Sequence, residues 1–242
     1  MKQFILASVL AFAAQAAEPN ARVPVLAELF TSEGCSSCPP ADALLMKLDQ
    51  AQPVAGAQVI VLSEHVDYWN SDGWNDPYSS AQFTERQRIY AHSLVAETYT
   101  PQIVIDGRLE CNGSNGKAIL AAVTREAARP KTPVKIVTAT RDGNEAIVSF
   151  TVGAASGKGN VWVAIADDRD QTSVKRGENS GKTLTHVSVV RSLGKFGAVT
   201  KGAGLEKTVR VPLKAEAGDL RVVVFVAESG GPVMGSAMEP LK

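Results

Sequence analysis

The sequence is poor in the residues that most often carry chemistry: it has three cysteines and three histidines among 242 residues. It also lacks an excess of either charge, since 25 Lys and Arg residues stand against 25 Asp and Glu residues. A nucleic-acid-binding protein needs a basic face, so this balance argues against that class of partner. Beyond the N-terminus, no apolar run reaches the roughly 20 residues that a membrane-spanning helix needs.

Residues 1–16 have the pattern of a secretory signal peptide. Lys2 precedes an apolar run from Phe4 to Ala14, and Ala14-Gln15-Ala16 matches an A-x-A cleavage site. We therefore expect a periplasmic or secreted protein that does not span a membrane once the signal is removed. Disulfides form and persist in such compartments.

Residues 17–129 alternate strand-like and helix-like segments in the order β-α-β-α-β-β-α. Short apolar runs at Val23 to Phe30 and Ala57 to Ser63 indicate buried strands, and Asp106-Gly107 indicates a hairpin turn. Ser79 or Ser80 is the expected N-cap of the second helix, and Ser114 of the third. This order predicts an α/β domain with helices on the faces of one sheet.

Residues 130–242 have a different composition and predict a smaller, all-β, sandwich-like domain. Short runs of alternating apolar residues follow one another there, separated by glycine-rich turns. One polar stretch, DDRDQTSVKRGENSGKTLTH at residues 167–186, interrupts them. It is either a solvated connection or a binding loop, since long loops are often functional.

The segment SEGCSSCPPAD, residues 32–42, contains a C-x-x-C pair between a predicted strand and a predicted helix. The free N–H groups and the positive end of a helix favour a thiolate. We therefore expect Cys35 to be the exposed nucleophile and Cys38 the resolving thiol. Glu33 would raise the pKa of the thiol if its carboxylate points inward. The two prolines after Cys38 suit the first helical turn, where no N–H is needed.

Three other residues bear on this pair. Pro101 precedes a buried strand, and a cis peptide bond between Thr100 and Pro101 fits that position. Glu28 lies in an otherwise apolar strand and is either the proton acceptor for Cys38 or a solvated edge residue. Cys111, the odd thiol, is either a small core residue or a free reactive thiol.

An aromatic segment, EHVDYWNSDGWNDPY at residues 64–78, leaves the carboxyl end of the second strand. Ligand-binding and catalytic groups of open α/β sheets gather at that edge. His65 would act there as an acid or base oriented by Asp67. An apolar surface for a substrate peptide would come from three aromatic residues: Tyr68, Trp69 and Trp74. The same aromatic residues are also compatible with simple packing of the loop.

The motifs together resemble the thioredoxin superfamily. The likeness depends on a strand, a C-x-x-C at the start of a helix, and TPQIVIDG with its Asp-Gly hairpin. The TPQIVIDG segment looks most like the corresponding segment of glutaredoxins. The fuller set, which adds FTERQRIYA and KRGENSGKTLTHVSVVR, is similar to a family of secreted bacterial thioredoxin-like proteins of unknown function. The resemblance implies that Cys35 attacks, Cys38 resolves and Pro101 is a cis-proline facing them, with Thr100 beside it at the substrate site.

We therefore expect a thiol-disulfide oxidoreductase that exchanges its Cys35/Cys38 dithiol with protein disulfides. Its partners would be protein thiols or disulfides, or a membrane reductant or oxidant, and it would need no cofactor besides the redox-active disulfide. Two alternatives remain open from the residues alone. One is a non-catalytic thioredoxin-fold binding module with a fixed disulfide. The other is a copper- or metal-handling protein that uses Cys35, Cys38 and His65 as ligands.

Overall fold

The computed structural model describes residues 22–213 and 218–242, so the predicted signal peptide lies outside the described residues. The helices are α1 (Pro39–Ala51), α2 (Ala81–Leu94) and α3 (Gly116–Ala127). None of these helices combines the length and the apolar character that crossing a membrane needs. The strands are β1 (Val23–Thr31), β2 (Ala57–His65), β3 (Gln102–Ile105), β4 (Leu109–Asn112), β5 (Val134–Asp142), β6 (Glu145–Val152), β7 (Gly159–Ser173), β8 (Thr183–Val199), β9 (Leu205–Pro212), β10 (Leu220–Ala227) and β11 (Val233–Pro240).

Local sequence signals account for where several elements begin. Ser80 is the N-cap of α2, as predicted, and its side chain accepts a hydrogen bond from the N–H of Gln82. The third helix begins one residue later than expected, because Asn115 rather than Ser114 is its N-cap. At the predicted hairpin turn Asp106 and Gly107 both have positive φ, and a Cβ on Gly107 would lie 2.5 Å from the carbonyl oxygen of Gly231.

Eight strands form one mixed sheet in the order β11-β10-β7-β8-β2-β1-β3-β4, and β5, β6 and β9 form a second sheet. β1 is parallel to β2 and antiparallel to β3. β8 joins the first half of the chain to the second through one pairing with β2, between Val189 and Ser63. The preceding residue, Ser188, has a left-handed backbone, with φ of 52°.

The large sheet is covered on both faces. One face of β1, β2 and β3 packs on α1 and α3 in a cluster that includes Leu29, Leu45 and Ile119. The opposite face of β1 and β2 packs with Phe83 of α2 and with side chains from β7, β8 and β10. The small sheet packs on β7 and β10 in a third cluster that includes Phe150. Alternation along each strand therefore sends neighbouring residues to different layers.

The sheet crosses the boundary that the sequence predicts near residue 130. Strands from both sides of that position belong to the eight-stranded sheet. The small sheet and β7 and β10 do face one another across an apolar cluster, as two layers of a sandwich would. Apolar alternation predicts a half-buried strand but does not identify its neighbour, so the pairing of β8 with β2 leaves no mark in the local sequence.

Candidate functional site

The C-x-x-C cysteines form a disulfide between Cys35 and Cys38 in the turn that joins β1 to α1. Their Cα atoms are 5.5 Å apart, and Ser37 Oγ lies 3.3 Å from Cys35 Sγ. Cys38 is the N-cap of α1, and prolines occupy its first two positions. Cys38, and not Cys35, therefore stands at the N-terminus of α1.

Both cysteines are fully buried, with 0% of either residue exposed. This corrects the expectation that Cys35 is an exposed nucleophile. The physical reason lies outside the motif, because two distant segments pack over it. They are the aromatic loop of residues 66–80 and a nine-residue connection between β7 and β8, residues 174–182, which we call the cover loop.

The cover loop is held on the disulfide segment by Asn179, which is itself fully buried. The Asn179 side-chain amide donates to the carbonyl oxygens of Glu33 and Cys35, at 2.9 Å each. A Cβ on Gly177 would lie 3.2 Å from Cβ of Trp74, so the cover loop also packs on the aromatic loop. Part of the polar stretch that the sequence left as either a connection or a binding loop thus covers the cysteines.

Pro101 lies next to the first turn of α1, and the peptide bond between Thr100 and Pro101 is cis, as predicted. A Cβ on Gly113 would meet Cβ of Ala41 at 3.1 Å and Cβ of Pro101 at 3.2 Å. Trp69 connects this region to the disulfide segment, since its indole N–H donates to Thr100 Oγ1 at 2.8 Å. A Cβ on Gly34 would lie 3.1 Å from Cβ of Trp69. Trp69 and Thr100 therefore belong to the same site as the cysteines.

Buried acids and histidines gather beside the disulfide segment. His65 Nδ1 is 2.7 Å from Asp76 Oδ2, and the same Asp76 oxygen accepts the N–H of Glu33 at 2.8 Å. His186 Nε2 is 3.3 Å from Glu33 Oε1, and His186 Nδ1 is 3.8 Å from Asp42 Oδ2. The two imidazole rings meet edge to face, with centroids 4.7 Å apart. All five residues are at most 5% exposed.

Burial and charge act against each other on these groups. Burial lowers the pKa of His65, but the neighbouring carboxylate of Asp76 outweighs it, so the pKa is raised above 6.5. Burial raises the pKa of Asp76, but His65 and two backbone N–H groups bring it below 3.8. Burial dominates at Asp42, whose pKa is raised although His186 and His65 act in the opposite direction. The neighbouring charges of His65 and Asp76 therefore each favour the ionised form of the other.

A change of His65 to asparagine is expected to flatten the dependence of stability on pH. The raised pKa of His65 contributes stability that is present below pH 6.5 and is lost as pH rises through the folded pKa. A pKa that differs by one between the folded and unfolded chain corresponds to about 1.4 kcal/mol of stability. Asparagine can keep a donor near the position of Nδ1 but carries no proton to lose. Urea unfolding between about pH 5 and pH 9 should show a steeper loss in the wild type than in the variant.

His92→Asn is the matched control for this measurement, since His92 is exposed on α2. It should retain the wild-type slope. A slope shared by the wild type and His65→Asn would show that another group controls the pH dependence.

Two predicted site residues lie elsewhere. Glu28 points to the α2 side of the sheet, where it accepts hydrogen bonds from Arg86 Nε and from the Tyr90 hydroxyl, both at 2.7 Å. Its neighbours Ala27 and Leu29 face α1, so alternation along β1 places Glu28 on the opposite face from the helix that begins beside Cys38. Glu28 is therefore not the proton acceptor for Cys38.

Asp67 does not orient His65 as the sequence predicted. Its carboxylate accepts a hydrogen bond from Thr84 Oγ1 at 2.5 Å, at the start of α2, and Asp76 takes the place beside the imidazole. The other aromatic residues of the loop are anchored by polar groups. Tyr68 donates to Gln87 Oε1 at 3.2 Å, and the indole N–H of Trp74 donates to Glu33 Oε2 at 2.8 Å.

Four residues of the site were missed by sequence reasoning: Asp42, Asp76, His186 and Asn179. Asp42 and Asp76 lie inside the two quoted segments, but nothing in their spacing separates them from ordinary first-turn and loop acids. His186 offered the best signal, because it is one of only three histidines and ends the polar stretch. Its distance of 153 positions from Glu33 hid their contact.

The described residues contain no group of three or more His, Cys, Asp or Glu side chains arranged to hold a metal ion. Cys111 is half-buried on β4 and is not part of a disulfide. Burial, together with the charge of Glu110, raises the pKa of the Cys111 thiol to about 11. At neutral pH Cys111 is therefore a poor nucleophile.

Comparison with known proteins places this site within a recognised set of sequences. A family model described as "Protein of unknown function (DUF1223)" matches residues 26–227, a span that contains the disulfide, the cover loop and the buried acids and histidines. No curated protein matches the chain.

Among solved structures, a structural genomics target from Agrobacterium tumefaciens is similar, with 32% sequence identity and a TM-score of 0.68. The match covers 91% of this chain and 94% of that one. The sporulation control protein Spo0M from Bacillus subtilis matches over 46% of this chain and 47% of its own, with 10% identity and a TM-score of 0.32. OgpA from Akkermansia muciniphila matches over 51% and 34%, with 14% identity and a TM-score of 0.28. The last two scores are too low to support an argument.

Proposed function

We propose that this chain, which belongs to the DUF1223 family, is a thiol-disulfide oxidoreductase that exchanges its Cys35/Cys38 pair with protein disulfides. The observation that carries the proposal is the Cys35–Cys38 disulfide itself, at the start of a helix whose first turn lies beside a cis-proline. A redox pair must be able to form and break an intramolecular disulfide, and a separation of three residues allows this.

A thioredoxin-like fold for the first half of the chain is part of this proposal. Its support is the order β1-α1-β2-α2-β3-β4-α3, with α1 and α3 on one face of the sheet and α2 on the other. The cis peptide bond before Pro101, at the start of β3, is the second feature that the resemblance implies. The strands of the second half extend this sheet.

The chemistry consists of two displacements at sulfur. In the reducing direction the Cys35 thiolate attacks one sulfur of a substrate disulfide, and the other substrate sulfur leaves as a thiolate. Cys38 then loses its proton and attacks Cys35 Sγ, which breaks the mixed disulfide and releases the second substrate sulfur. The substrate gains two electrons and two protons, and the enzyme pair is oxidised to the disulfide. Substrate oxidation uses the same steps in reverse.

Access to the disulfide requires the cover loop to move, because both cysteines are buried. Asn179→Ala is expected to speed reduction of the disulfide by dithiothreitol about tenfold. The two hydrogen bonds that hold the loop contribute about 0.7 kcal/mol each, and their sum of about 1.4 kcal/mol corresponds to a factor of ten. The rate of thiol release measures the population of the open form when opening is fast.

Ser180→Ala is the control for the loop, since Ser180 is exposed and its hydroxyl donates only to the carbonyl of Lys175, at 3.1 Å. It should be reduced at the wild-type rate. Equal rates for Asn179→Ala and the wild type would show that these two hydrogen bonds do not limit access.

The burial of both cysteines also favours a second function, that of a binding module whose disulfide is fixed. In such a protein the disulfide would hold the turn before α1, and the cover loop and aromatic loop would contact a partner. This function predicts that the disulfide resists mild reductant in the wild type and in Asn179→Ala alike. It also predicts that Cys35→Ser and Cys38→Ser keep their partner.

We place the protein in the periplasm or outside the cell, on the basis of the signal-like residues 1–16. Its partners there would be protein thiols and disulfides, or a membrane reductant or oxidant that resets the pair. The Cys35–Cys38 disulfide is the redox group, and no other cofactor enters the proposed chemistry.

Reduction of insulin by dithiothreitol tests the enzyme proposal directly. The wild-type protein should accelerate the precipitation of the released insulin B chain in a concentration-dependent way. A matching assay should follow the re-oxidation or reshuffling of a reduced or scrambled disulfide protein, because the direction of electron flow is open. The absence of acceleration in all of these assays would refute the proposal.

A further inference from the structure

His186 connects two acids that flank the cysteine pair in the sequence, Glu33 before it and Asp42 after it. Its Nε2 is 3.3 Å from Glu33 Oε1, and Glu33 stands two residues before Cys35. Its Nδ1 is 3.8 Å from Asp42 Oδ2, and Asp42 follows Cys38 by four positions, one helical turn further along the same face of α1. The imidazole is 1% exposed and comes from β8, in the second half of the chain.

The two ring nitrogens of His186 differ in their hydrogen bonding. Within residues 22–213 and 218–242, Nδ1 has no hydrogen-bond partner, although it faces the carboxylate of Asp42. Asp42 itself is fixed from the other side, since Thr31 Oγ1 donates to its Oδ1 at 2.9 Å. A proton can therefore be held at either end of His186, next to Glu33 or next to Asp42.

We propose that His186 is a positioning residue for proton transfer in the disulfide exchange, acting through Asp42 and Glu33 on the two cysteines. This inference rests on the proposed oxidoreductase function and assigns the second half of the chain a part in the chemistry. The role that the sequence suggested for Glu28 thereby falls to groups on the other face of the sheet.

In the proposed exchange, His186, Asp42 and Glu33 act at the step in which the enzyme disulfide forms or breaks. When Cys38 Sγ forms its bond to Cys35 Sγ, the Cys38 thiol proton passes to Asp42, with His186 able to share it. The bond between Cys35 Sγ and the substrate sulfur breaks in the same step, and the departing thiolate takes up one proton. The reverse reaction returns a proton to Cys38 by the same path. Two electrons move between the substrate sulfurs and the enzyme sulfurs, so no further reductant is needed within this step.

In the part of the chain that the structure describes, five charged or titratable groups surround His186. These groups are Glu33 before the C-x-x-C, Asp42 on α1, His65 at the end of β2 with Asp76 beside it, and Tyr78, whose ring centroid is 5.8 Å away. His65 is already committed to Asp76 through Nδ1. His186 is therefore the imidazole placed between the two acids that flank the cysteines.

The test is the pH profile of insulin reduction by wild type and His186→Gln under steady-state conditions. Glutamine can keep a donor near Glu33 but cannot carry a proton. We expect kcat at pH 7 to fall about tenfold and one ionisation to disappear from the profile of kcat, with KM for insulin within about twofold of the wild type. His92→Gln should match the wild type, since His92 is exposed on α2.

A second variant keeps the test decisive if His186→Gln is poorly folded. Asp42→Asn retains an acceptor for Thr31 and should remove the same ionisation from the kcat profile. If the wild type reduces insulin and both variants keep its pH profile, the role of His186 is overturned and the oxidoreductase function is retained. A wild type without any exchange activity would overturn both.

Discussion

Cys35→Ser is expected to abolish disulfide exchange completely, and Cys38→Ser to accumulate a covalent adduct with the substrate. Serine cannot form the mixed disulfide, so the first variant has no route to reaction. In the second variant the thiol of Cys35 is free, because its partner in the disulfide is gone, and the mixed disulfide that it forms cannot be resolved. Expression of Cys38→Ser in its native compartment, followed by non-reducing electrophoresis and mass spectrometry, should reveal the captured partner.

Cys111→Ser is the matched control, because Cys111 is the remaining cysteine and is not part of a disulfide. With its pKa raised to about 11 by burial and by Glu110, this thiol should contribute nothing at neutral pH. Full activity and no adduct are expected from this variant. An adduct that survives in the double variant Cys35→Ser, Cys38→Ser would instead assign the reactive thiol to Cys111.

Arg86→Met should destabilise the protein by about 3 to 5 kcal/mol, because it breaks a buried ion pair from one side. Arg86 Nε donates to Glu28 Oε1 at 2.7 Å and lies 3.5 Å from Glu64 Oε1, and both carboxylates are fully buried. Removing the guanidinium leaves the buried Glu28 side chain with the Tyr90 hydroxyl but without its cationic partner. The guanidinium carbon also lies 5.0 to 5.2 Å from the ring centres of three aromatic residues: Tyr90, Trp162 and Phe225.

Urea unfolding at pH 7 measures this loss, with Arg88→Met as the control. Arg88 lies on the same helix but is 63% exposed, and its pairing with Glu85 is 3.9 Å long, so its removal should cost less than about 1 kcal/mol. Adding Glu28→Gln to Arg86→Met should restore part of the stability, since it removes the uncompensated charge. A loss below about 1 kcal/mol in Arg86→Met would show that the two glutamates do not depend on the arginine.

The buried carboxylate of Glu64 gives this cluster a further signature. Burial, with Glu28 nearby, raises the pKa of Glu64 well above 4.5, although Arg86 acts in the opposite direction. The folded protein therefore holds this proton at pH values where the unfolded chain has lost it. The contribution of Glu64 to stability accordingly falls as pH rises from 4.5 through the folded pKa.

Glu28 and His65 show how far sequence reasoning reached into the site. The sequence marks Glu28 as a polar residue in an otherwise apolar strand and His65 as an acid or base just after the next strand, and both are fully buried. Their partners were misjudged, because strand alternation assigns a face but not the element that covers it. Arg86 lies 58 positions from Glu28, while Asp76 lies only 11 positions from His65 in a loop with several acids. Neither spacing follows a helical or strand period.

The sequence by itself determined the local features of this protein. Interactions within a few residues determine four of them: the start of α1 after Cys38, the Ser80 cap, the Asp106-Gly107 turn, and the spacing that lets Cys35 and Cys38 form a disulfide. Such interactions join groups that are close together in the chain. They could therefore be predicted before any long-range contact was known.

Only the tertiary structure decided that the cysteines are covered and which acids and histidines surround them. Asn179 lies 144 positions from Cys35, and His186 lies 153 positions from Glu33. These residues come together in space because β8 pairs with β2 and because Val187 of β8 packs in the apolar cluster that contains α1. That pairing is selected by the packing of whole layers, a sum of many weak contacts that no short segment encodes. Local interactions account for the position of the cysteine pair, and the packing of the two halves decides which residues surround it and how far it is exposed to solvent.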